Sequence, residues 1–467
     1  MVDQEIINEE IIKSGRIIGV SNRHLFPELA AQLGAAIGTY LGKGSVVAIA
    51  RDFRSDCHMI KRSTSGGLMS TGIDIIDLHS SPTSTLQFVV RKFGANSGIS
   101  FTSSHYVGGE ISIRLIDETG NEMDEKQVED IIQIFSTKKF ERVSNQDIGK
   151  IEQIENSIEI YQSAMQGFVN RKLIEDFGFN IVLDCSLGPT SIRVPTIISD
   201  MKSEVTTMNS YQISPKEVLP DPRSIQKVSK TVEAINAELG VVLDVEGIKA
   251  IVIDNLGRII PPEDLASMMI REFIKERKGT IILSKYFTRR FDQDFENMGA
   301  EIVRVIDSPG NIGRTISDLR ALIGATDNGK IFNPTWGPES DGTLTTLSLL
   351  EILARRKVKL NNLMMELENH RAKSTDVATT NILFHIPEKF AQKKFFNELI
   401  KKALKSKIIS RDTLVGYKFE YLTGWIHFMC TPQPYEISII CETNKSEDLA
   451  NITDFAYDLA KKAIENK

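Results

Sequence analysis

The chain has 467 residues, of which 41% are hydrophobic and 25% are charged, as is ordinary for a soluble globular protein. A chain of this length exceeds what one hydrophobic core supports, so we expect several domains. The formal net charge of −6 argues against a general nucleic-acid-binding protein, because such proteins carry an excess of Lys and Arg.

The N-terminus and the cysteines favour a cytoplasmic protein. The segment Met1–Glu5 is acidic and lacks the apolar core of a signal peptide. No apolar run is long enough to span a bilayer, so we expect no membrane partner. The cysteines form no CxxC pair and no zinc-ligand set, which favours reduced thiols. They are Cys57, Cys185, Cys430 and Cys441.

Three successive stretches repeat one order of predicted elements. The first opens with a helix over 29–41, where Leu29, Leu33, Ile37 and Leu41 follow helical spacing. In each stretch, β-branched runs then alternate with helical segments, which predicts parallel βαβ units. The predicted strands are 45–52, 72–78 and 97–101 in the first unit, 179–185, 203–208 and 240–247 in the second, and 279–284, 299–305 and 323–329 in the third.

The remaining part of the chain has a different pattern. Short strands are predicted over 381–386, 425–429 and 437–441, followed by an amphipathic helix that begins near Glu447. This order indicates a smaller α+β domain capping a cleft. We therefore expect four domains, over residues 1–147, 148–256, 257–371 and 372–467.

The third predicted strand of each unit ends in polar residues and glycine. These endings carry Ser104 and His105 in the first unit, Asp244 and Glu246 in the second, and 326–328 in the third. Because open α/β sheets bind ligands at the carboxyl ends of their strands, three units facing one cleft would gather a hydroxyl, carboxylates and polar side chains. For any one ending alone, an ordinary turn is the simpler interpretation.

Several segments resemble the loops of the α-D-phosphohexomutases, the phosphoglucomutase, phosphomannomutase and phosphoglucosamine mutase superfamily, in its archaeal branch. The resemblance runs almost end to end and implies an α/β fold: three similar βαβ-type domains with mixed, mostly parallel sheets, and a smaller C-terminal α+β domain, around a central cleft. In chain order, the matching segments are 47–54 with its Arg-Asp-x-Arg ending, the phosphoserine loop 101–115, the metal loop 243–249, the sugar loop 324–332 and the phosphate-binding loop 425–434.

The resemblance implies an isomerase that moves phosphate between O1 and O6 of a hexose phosphate. Ser104 would carry the phosphoryl group and pass it to the substrate, giving a sugar bisphosphate intermediate, with Mg²⁺ offsetting the charge. His105 and Arg114 complete the implied catalytic set. Arg114 stands where the family has Lys, and since Arg keeps its proton, we expect an electrostatic clamp.

The metal loop departs from the family pattern. Asp244, Glu246 and Ile248 stand where the family has three aspartates, and Ile248 offers no oxygen. Mg²⁺ is commonly held by one or two carboxylates plus phosphate oxygens and water, which predicts a weak site formed by Asp244, Glu246 and phosphorylated Ser104. The alternative is a solvated pair of acids that binds no metal.

The resemblance also implies a set of substrate-binding residues, several of them altered. Thr326 replaces the family's Glu in the sugar loop, and Met429 and Cys430 stand in the phosphate-binding loop, which keeps Thr431. Lys249 replaces an Arg and loses its bidentate fork. The implied set is Arg23, Lys249, Thr326, Asp327, Asn328, Lys330 and Thr431.

Two functions fit these residues. The first is a working but divergent phosphosugar mutase, which the retained Ser104 and His105 favour. The second is a catalytically impaired or inactive paralogue that binds a sugar phosphate or a partner subunit, which Ile248, Thr326 and Met429 favour. The sequence leaves the sugar open, and it leaves open whether the chain forms a homo- or hetero-oligomer.

Overall fold

The computed structural model contains four β-sheets with flanking helices in the part of the chain that it describes. Three sheets follow one another along the chain in mixed α/β units, and the fourth lies in a C-terminal α+β unit, which confirms the predicted fold class. The described residues are 12–13, 16–103, 110–152, 157–210, 220–370, 377–387, 392–405, 410–413, 416–421, 423–431, 435–443 and 445–465.

The first unit is built on a seven-stranded sheet with the order β1-β2-β6-β5-β3-β4-β7. Its strands are β1 (Ile12–Lys13), β2 (Arg16–Val20), β3 (Val46–Arg51), β4 (Asp74–Ser80), β5 (Ser97–Ser103), β6 (Glu110–Asp117) and β7 (Ile151–Glu152). Its helices are α1 (Pro27–Leu41), α2 (Ser55–Met69), α3 (Thr83–Phe93) and α4 (Glu125–Thr137).

Local sequence fixes the ends of several of these helices. Pro27 opens α1, where the fixed φ of proline suits the first helical turn. Asp124 and Gln127 form a capping box at the start of α4. Helices α1 and α2 pack closely through glycine, because a Cβ at Gly67 would lie 2.0 Å from the carbonyl oxygen of Ala31.

The second and third units each contain a four-stranded sheet. The second has β8 (Asn180–Asp184), β9 (Glu204–Met208), β10 (Leu239–Leu243) and β11 (Ala250–Asp254), with α5 (Ser157–Phe168), α6 (Arg171–Phe177), α7 (Val194–Ser199) and α8 (Pro222–Ile235). The third has β12 (Gly279–Ser284), β13 (Ala300–Val305), β14 (Ile323–Ala325) and β15 (Ile331–Phe332), with α9 (Pro262–Glu276), α10 (Asp292–Asn297), α11 (Asn311–Leu319), α12 (Gly342–Arg356) and α13 (Leu360–Asn369).

All three α/β units share one strand order. In each, a first strand (β3, β8 or β12) lies between a second (β4, β9 or β13) and a third (β5, β10 or β14), and all three run parallel. A fourth strand (β6, β11 or β15) pairs antiparallel with the third. The fourth strands, β6, β11 and β15, were not predicted as strands. In the second unit the predicted strand over 240–247 ends at Leu243, because the following residues turn back into β11.

The C-terminal unit has a fully antiparallel sheet in the order β16-β20-β19-β18-β17, flanked by two helices. Its elements are β16 (Ala378–His385), α14 (Gln392–Lys405), β17 (Ser410–Thr413), β18 (Gly416–Tyr421), β19 (Gly424–Cys430), β20 (Glu436–Thr443) and α15 (Leu449–Ile464). Phe395, Phe428 and Ile452 are fully buried in a core of this unit. The predicted α+β character is therefore confirmed.

Aromatic side chains join the first three units. Trp336 of the third unit stacks on Phe88 of the first at a centroid distance of 5.2 Å. Tyr161 and Phe168 of the second unit meet the same indole edge-on, at 6.0 and 5.4 Å. The first sheet extends past the predicted boundary at residue 147, because β7 pairs with β4. The four-domain division itself stays a prediction.

Among the described residues, none of the helices combines the length and the apolar character needed to cross a bilayer.

Candidate functional site

The predicted phosphoserine segment connects two neighbouring strands of the first sheet. Strand β5 ends at Ser103, and β6 returns from Glu110 with Ser103 paired to Ile111. Residues 104–109, here called the serine loop, lie between them, so Ser104 and His105 are outside the described residues. The flanking strands nevertheless fix where the loop starts and ends, at the carboxyl end of β5.

A buried arginine holds both flanks of the serine loop. Arg54 donates from Nη2 to the carbonyl oxygens of Thr102 (3.2 Å) and Glu110 (3.1 Å). Its Nε donates to Asp52 Oδ2 at 3.1 Å, and both side chains are nearly inaccessible to solvent. Burial is costly for a charge unless it is paired, and this ion pair fixes Arg54 in place. The Arg-Asp-x-Arg ending thus holds together the two strand ends that flank the serine loop.

Arg23 lies at the same edge of the sheet. Strand β2 pairs with β6, and Val20 at the end of β2 stands opposite Glu110. The chain then turns through Asn22, whose φ is +59°, and Arg23 is exposed in that turn. The predicted substrate-binding arginine therefore occupies a turn beside the residue at which the serine loop ends.

Arg114 of β6 links the first unit to the second. Its guanidinium forms an ion pair with Glu246, with Nη2 2.5 Å from Oε2 and Nε also in contact with Oε1. Nη1 donates to Glu122 Oε2 at 3.1 Å, and Arg16 binds the same carboxylate at 2.5 and 2.8 Å. Two arginines and two carboxylates thus form one chain of ion pairs, in which Arg16 is partly buried and the other three side chains are buried.

The predicted metal loop does not fit a magnesium site as it stands. Asp244 Oδ1 accepts the backbone N–H groups of Ile248 (2.8 Å) and Lys249 (2.9 Å), so this oxygen shapes the loop itself. The Ile248 side chain is buried, and Glu246 already faces the Arg114 charge. Within the described ranges, no three His, Cys, Asp or Glu side chains are grouped closely enough to hold a metal ion.

The third unit supplies an internally paired sugar loop. Asp307 accepts Lys330 Nζ at 3.0 Å and Asn328 Nδ2 at 2.8 Å, and Thr326 Oγ1 donates to Asn328 at 2.7 Å. Burial alone would raise the pKa of Asp307, but the Lys330 charge holds that pKa below its usual range. Asp327 instead accepts from Ser284 Oγ at 2.6 Å and is buried, so a sugar contact would require that bond to break.

A carboxylate that the sequence did not reveal stands between these loops. Glu339 Oε1 accepts the backbone N–H of Glu122 at 3.2 Å. Burial raises the pKa of Glu339 to about 7 against the attraction of Lys330, and the Glu122 carboxylate adds to the rise. A carboxyl group with such a pKa can accept and return a proton near neutral pH.

The metal loop of the second unit contacts both the first and the third unit. Ser340 Oγ donates to the carbonyl oxygen of Ile248 at 2.6 Å, and Gly342 N–H donates to that of Gly247 at 2.9 Å. Arg114 connects the same metal loop to β6. The metal loop thus contacts both other units, whereas the gathering of all three polar endings in one cleft stays a prediction, because Ser104 and His105 lie outside the described residues.

The C-terminal unit contacts the second unit at the end of β19. Thr431 is buried, its Oγ1 donates to the carbonyl oxygen of Glu436 at 3.1 Å, and its own carbonyl accepts Gln226 Nε2 at 3.0 Å. Met429 packs in an apolar cluster with Val228 of the second unit. Residues 432–434 of the predicted phosphate-binding loop lie outside the described residues.

Arg16, Glu122, Asp307 and Glu339 were not predicted as site residues. Arg16 and Glu122 are separated by 106 positions, and Glu122 and Glu339 by 217, so no local spacing pairs them. One signal was available for Arg16: with β2 antiparallel to β6 and Ile17 opposite Ile113, Arg16 stands beside Arg114. That inference required β6 to be predicted as a strand.

The fold and the site together define a multidomain α/β protein with its charged residues gathered where three units meet. The family described as phosphoglucomutase/phosphomannomutase, alpha/beta/alpha domain I, matches residues 11–142. The chain is 25% identical to the phosphoglucomutase/phosphomannomutase of Thermococcus kodakarensis, over 96% of this chain and 97% of that one. It is also 25% identical to a probable phosphoglucosamine mutase of Pyrococcus abyssi, over 95% and 96%.

Solved structures share the fold along the whole chain. A phosphoglucomutase/phosphomannomutase family protein from Burkholderia thailandensis matches with a TM-score of 0.72 and 21% identity, over 100% of this chain and 99% of that one. A putative phosphomannomutase from Thermus thermophilus matches at 0.73 and 19% identity, over 96% and 98%. These structures show the shared fold, and the domain I match together with the full-length relatives confirms the resemblance to the α-D-phosphohexomutase superfamily.

Proposed function

We propose that this protein is a phosphosugar mutase, an isomerase that moves a phosphoryl group between O1 and O6 of a hexose phosphate. The observation that carries this proposal is the similarity over almost the full length to proteins named as such mutases. The sequence Phe101–His105 also retains the serine that the superfamily phosphorylates. The substrate would be a phosphorylated sugar, with a bisphosphate as the intermediate.

The phosphoryl carrier in this proposal is Ser104. The Ser104 Oγ–P bond breaks while a new O–P bond forms to the sugar hydroxyl, and the hydroxyl proton is released. A second transfer of the same kind, in reverse, returns the other phosphoryl group to Ser104. The transferred group carries nearly two negative charges, so cations must face it. Arg23, Arg114, Lys249 and Lys330 are the cations proposed for this role.

The proton would be carried by Glu339 in our proposal. Arg114 stands where the superfamily has a lysine, but a guanidinium stays protonated and serves poorly as a general base. Glu339 accepts the backbone N–H of Glu122, and the Glu122 side chain accepts from Arg114, so Glu122 connects the two residues. The Glu339 pKa of about 7 suits proton exchange at neutral pH. His105 remains a second proposed proton carrier, on the serine loop.

We propose that Mg²⁺ contributes weakly, because the described residues do not fit it. Arg114 already sets a positive charge against Glu246, and Ile248 supplies no ligand. The charge that a metal would offset can be balanced partly by the guanidinium, which stabilises phosphoryl oxygens through its paired donors. No step of the proposed reaction is assigned to the metal.

A mutase assay with glucose, mannose, glucosamine and ribose 1-phosphates, a bisphosphate primer and Mg²⁺ would test the function. We expect turnover of at least one sugar, with a gain in intact mass of one phosphoryl group that peptide mapping assigns to Ser104. Ser104→Ala should lose both. Phosphate on another residue, or unchanged turnover in Ser104→Ala, would overturn the mechanism. Sugar-phosphate binding without turnover in the wild type would favour the inactive paralogue.

A further inference from the structure

A pocket lies in the first unit, and all of its lining residues belong to that unit. Its volume is about 400 Å³, and its lining comes from α2, from β7 and from the carboxyl ends of β3 and β4. Small-molecule sites occupy roughly 300–1,000 Å³. Five basic side chains and one acid line this basic pocket, namely Arg51, His58, Lys61, Arg62, His79 and Asp77.

The single acid of the basic pocket is already neutralised. Asp77 Oδ1 accepts Lys61 Nζ at 2.5 Å and the backbone N–H of His79 at 2.7 Å. Lys61 is almost fully buried, and burial lowers its pKa although Asp77 opposes this. The ion pair therefore leaves no negative charge to balance the remaining cations of the pocket.

Two arginines of the basic pocket have no carboxylate partner within the described residues. Neither Arg51 nor Arg62 forms an ion pair within the described residues, and Arg62 is exposed. Partial burial, and then the charges of Arg51, Arg62 and Lys61, lower the pKa of His58, so that imidazole stands in a positive field. An anion entering the pocket would meet complementary charge on several sides.

Arg51 also offers a buried donor. Its Nη1 donates to the carbonyl oxygen of Asp52 at 2.7 Å, but its Nε is buried and has no hydrogen-bond partner among the described residues. A buried donor without a partner costs stability, and such groups are few in folded proteins. An acceptor held in the pocket next to Arg51 would remove that cost.

We propose that the basic pocket binds a small phosphorylated molecule through its phosphate group. Arg51, Lys61 and Arg62 would hold the phosphate oxygens, for which guanidinium and ammonium groups are the usual partners. Met69 and Ile151 provide an apolar wall for the rest of the ligand. The site requires none of the residues assigned to phosphoryl transfer.

A series of hydrogen bonds connects the basic pocket to the two flanks of the serine loop. Arg51 holds the Asp52 carbonyl, the Asp52 carboxylate holds Arg54, and Arg54 bonds Thr102 and Glu110 on either side of the loop. A phosphate that draws Arg51 into the pocket would therefore act on the support of the serine loop. This regulatory consequence rests on the proposed function, whereas binding in the pocket does not.

Isothermal titration with pyrophosphate, adenosine 5′-monophosphate and adenosine tests the proposal. We expect the two phosphates to bind and adenosine not to bind. Arg62→Ala and Arg51→Gln should each weaken phosphate binding roughly tenfold or more, as expected for one lost charge-assisted contact. Gly66→Leu should block the pocket without removing charge, because Gly66 is part of the lining. The new side chain should fit without a clash, since a Cβ at Gly66 meets nothing within 4 Å.

Two controls separate this site from other cations. Lys92→Ala removes one exposed charge from the same unit outside the pocket, and Arg23→Ala removes one from the proposed active site. Phosphate binding in the basic pocket should be unchanged in both variants. Equal loss in Lys92→Ala, or unchanged binding in Arg62→Ala and Gly66→Leu, would overturn the proposal. Binding of pyrophosphate without adenosine 5′-monophosphate would overturn the proposal that the pocket holds the rest of a phosphorylated molecule against Met69 and Ile151. A protein that binds there but shows no mutase turnover would contradict only the proposed function.

Discussion

At the scale of single residues, the Arg114–Glu246 ion pair decides how the candidate site handles charge. Both side chains are buried, and a buried carboxylate that loses its partner carries a large penalty. A metal ion entering this loop must therefore compete with a guanidinium that is already in place. Because of this competition, we expect a third carboxylate by itself to restore a metal site only in part.

We predict that Ile248→Asp raises Mg²⁺ affinity modestly and that Ile248→Asp combined with Arg114→Met raises it much further. The added oxygen supplies a ligand, and removal of the guanidinium releases Glu246 to the metal. Isothermal titration of the two variants and of the wild type with MgCl₂ measures the difference. Arg114→Met alone is the control for charge. The competition is disproved if the double variant binds no more tightly than Ile248→Asp.

The pH dependence of activity should identify Glu339. With a pKa of about 7, the Glu339 carboxyl is mostly protonated at pH 6 and mostly ionised at pH 8, so one limb of the rate profile should fall near pH 7. Glu339→Gln should lower kcat by roughly 10²–10⁴-fold and remove that limb. Steady-state kinetics from pH 5.5 to 9 give the profile. A retained limb near pH 7 in the variant would assign the proton to another group.

At the scale of elements, the close packing of α1 on α2 depends on glycine. We predict that Gly67→Ala destabilises the first unit by about 1–3 kcal/mol, because the new Cβ would overlap the Ala31 carbonyl and force the helices apart. Gly66→Ala is the matched control, since its Cβ points into open space and the helix gains roughly 0.5–1 kcal/mol. Urea unfolding followed by circular dichroism compares the two. Equal stability would mean that the helices are not in contact at Gly67.

Sequence patterns predicted the strands formed by long β-branched runs, but they missed the fourth strand of each α/β unit. Strand β3 is a β-branched run bounded by charge, and the period-2 and period-3.6 signals found its neighbours as well. Strand β15 has only two residues, Ile331–Phe332, and it exists because it pairs with β14. A segment that short carries no periodicity from which a strand could be predicted.

The same limit applies to the candidate site. Arg114 was found because it follows a recognisable loop, and the structure gives it a partner, Glu246, from another unit. Glu339 was missed because its distinguishing property is a raised pKa. That pKa results from burial between units that are distant in sequence, which no local pattern shows. Local chemistry can thus be inferred from motifs, whereas the partners of each charge follow only from tertiary packing.

At the scale of the whole molecule, buried charges fasten the C-terminal unit to the third. Lys418 Nζ donates to Glu263 Oε1 at 3.1 Å and to the Tyr286 carbonyl at 2.7 Å. Across the same contact, Glu442 accepts Thr288 Oγ1 at 2.6 Å and Arg289 N–H at 2.9 Å. Burial raises the pKa of Glu263 to about 7, although the Lys418 charge opposes this.

We predict that Lys418→Met destabilises the protein by about 3–5 kcal/mol at pH 8, because it leaves the Glu263 carboxylate buried and unpaired. A raised folded-state pKa means that the ionised form is the costly one, so the defect should shrink as pH falls from 8 to 5 and Glu263 takes up a proton. Urea unfolding at both pH values measures this. Lys401→Met, which breaks an exposed pair, should change stability by less than about 1 kcal/mol at either pH.

The two tryptophans of the chain provide built-in optical reporters of how its units are joined. Trp336 contacts aromatic rings from the first and second units, and Trp425 lies under the Lys418 ammonium, whose Nζ is 3.7 Å from the ring centroid. Replacing one indole leaves the emission of the other to report on its own contact. Emission from Trp425 would thus follow release of the C-terminal unit from the third, while emission from Trp336 would follow separation of the first three. Adding a ligand would then reveal which contact it loosens or tightens, without any attached dye.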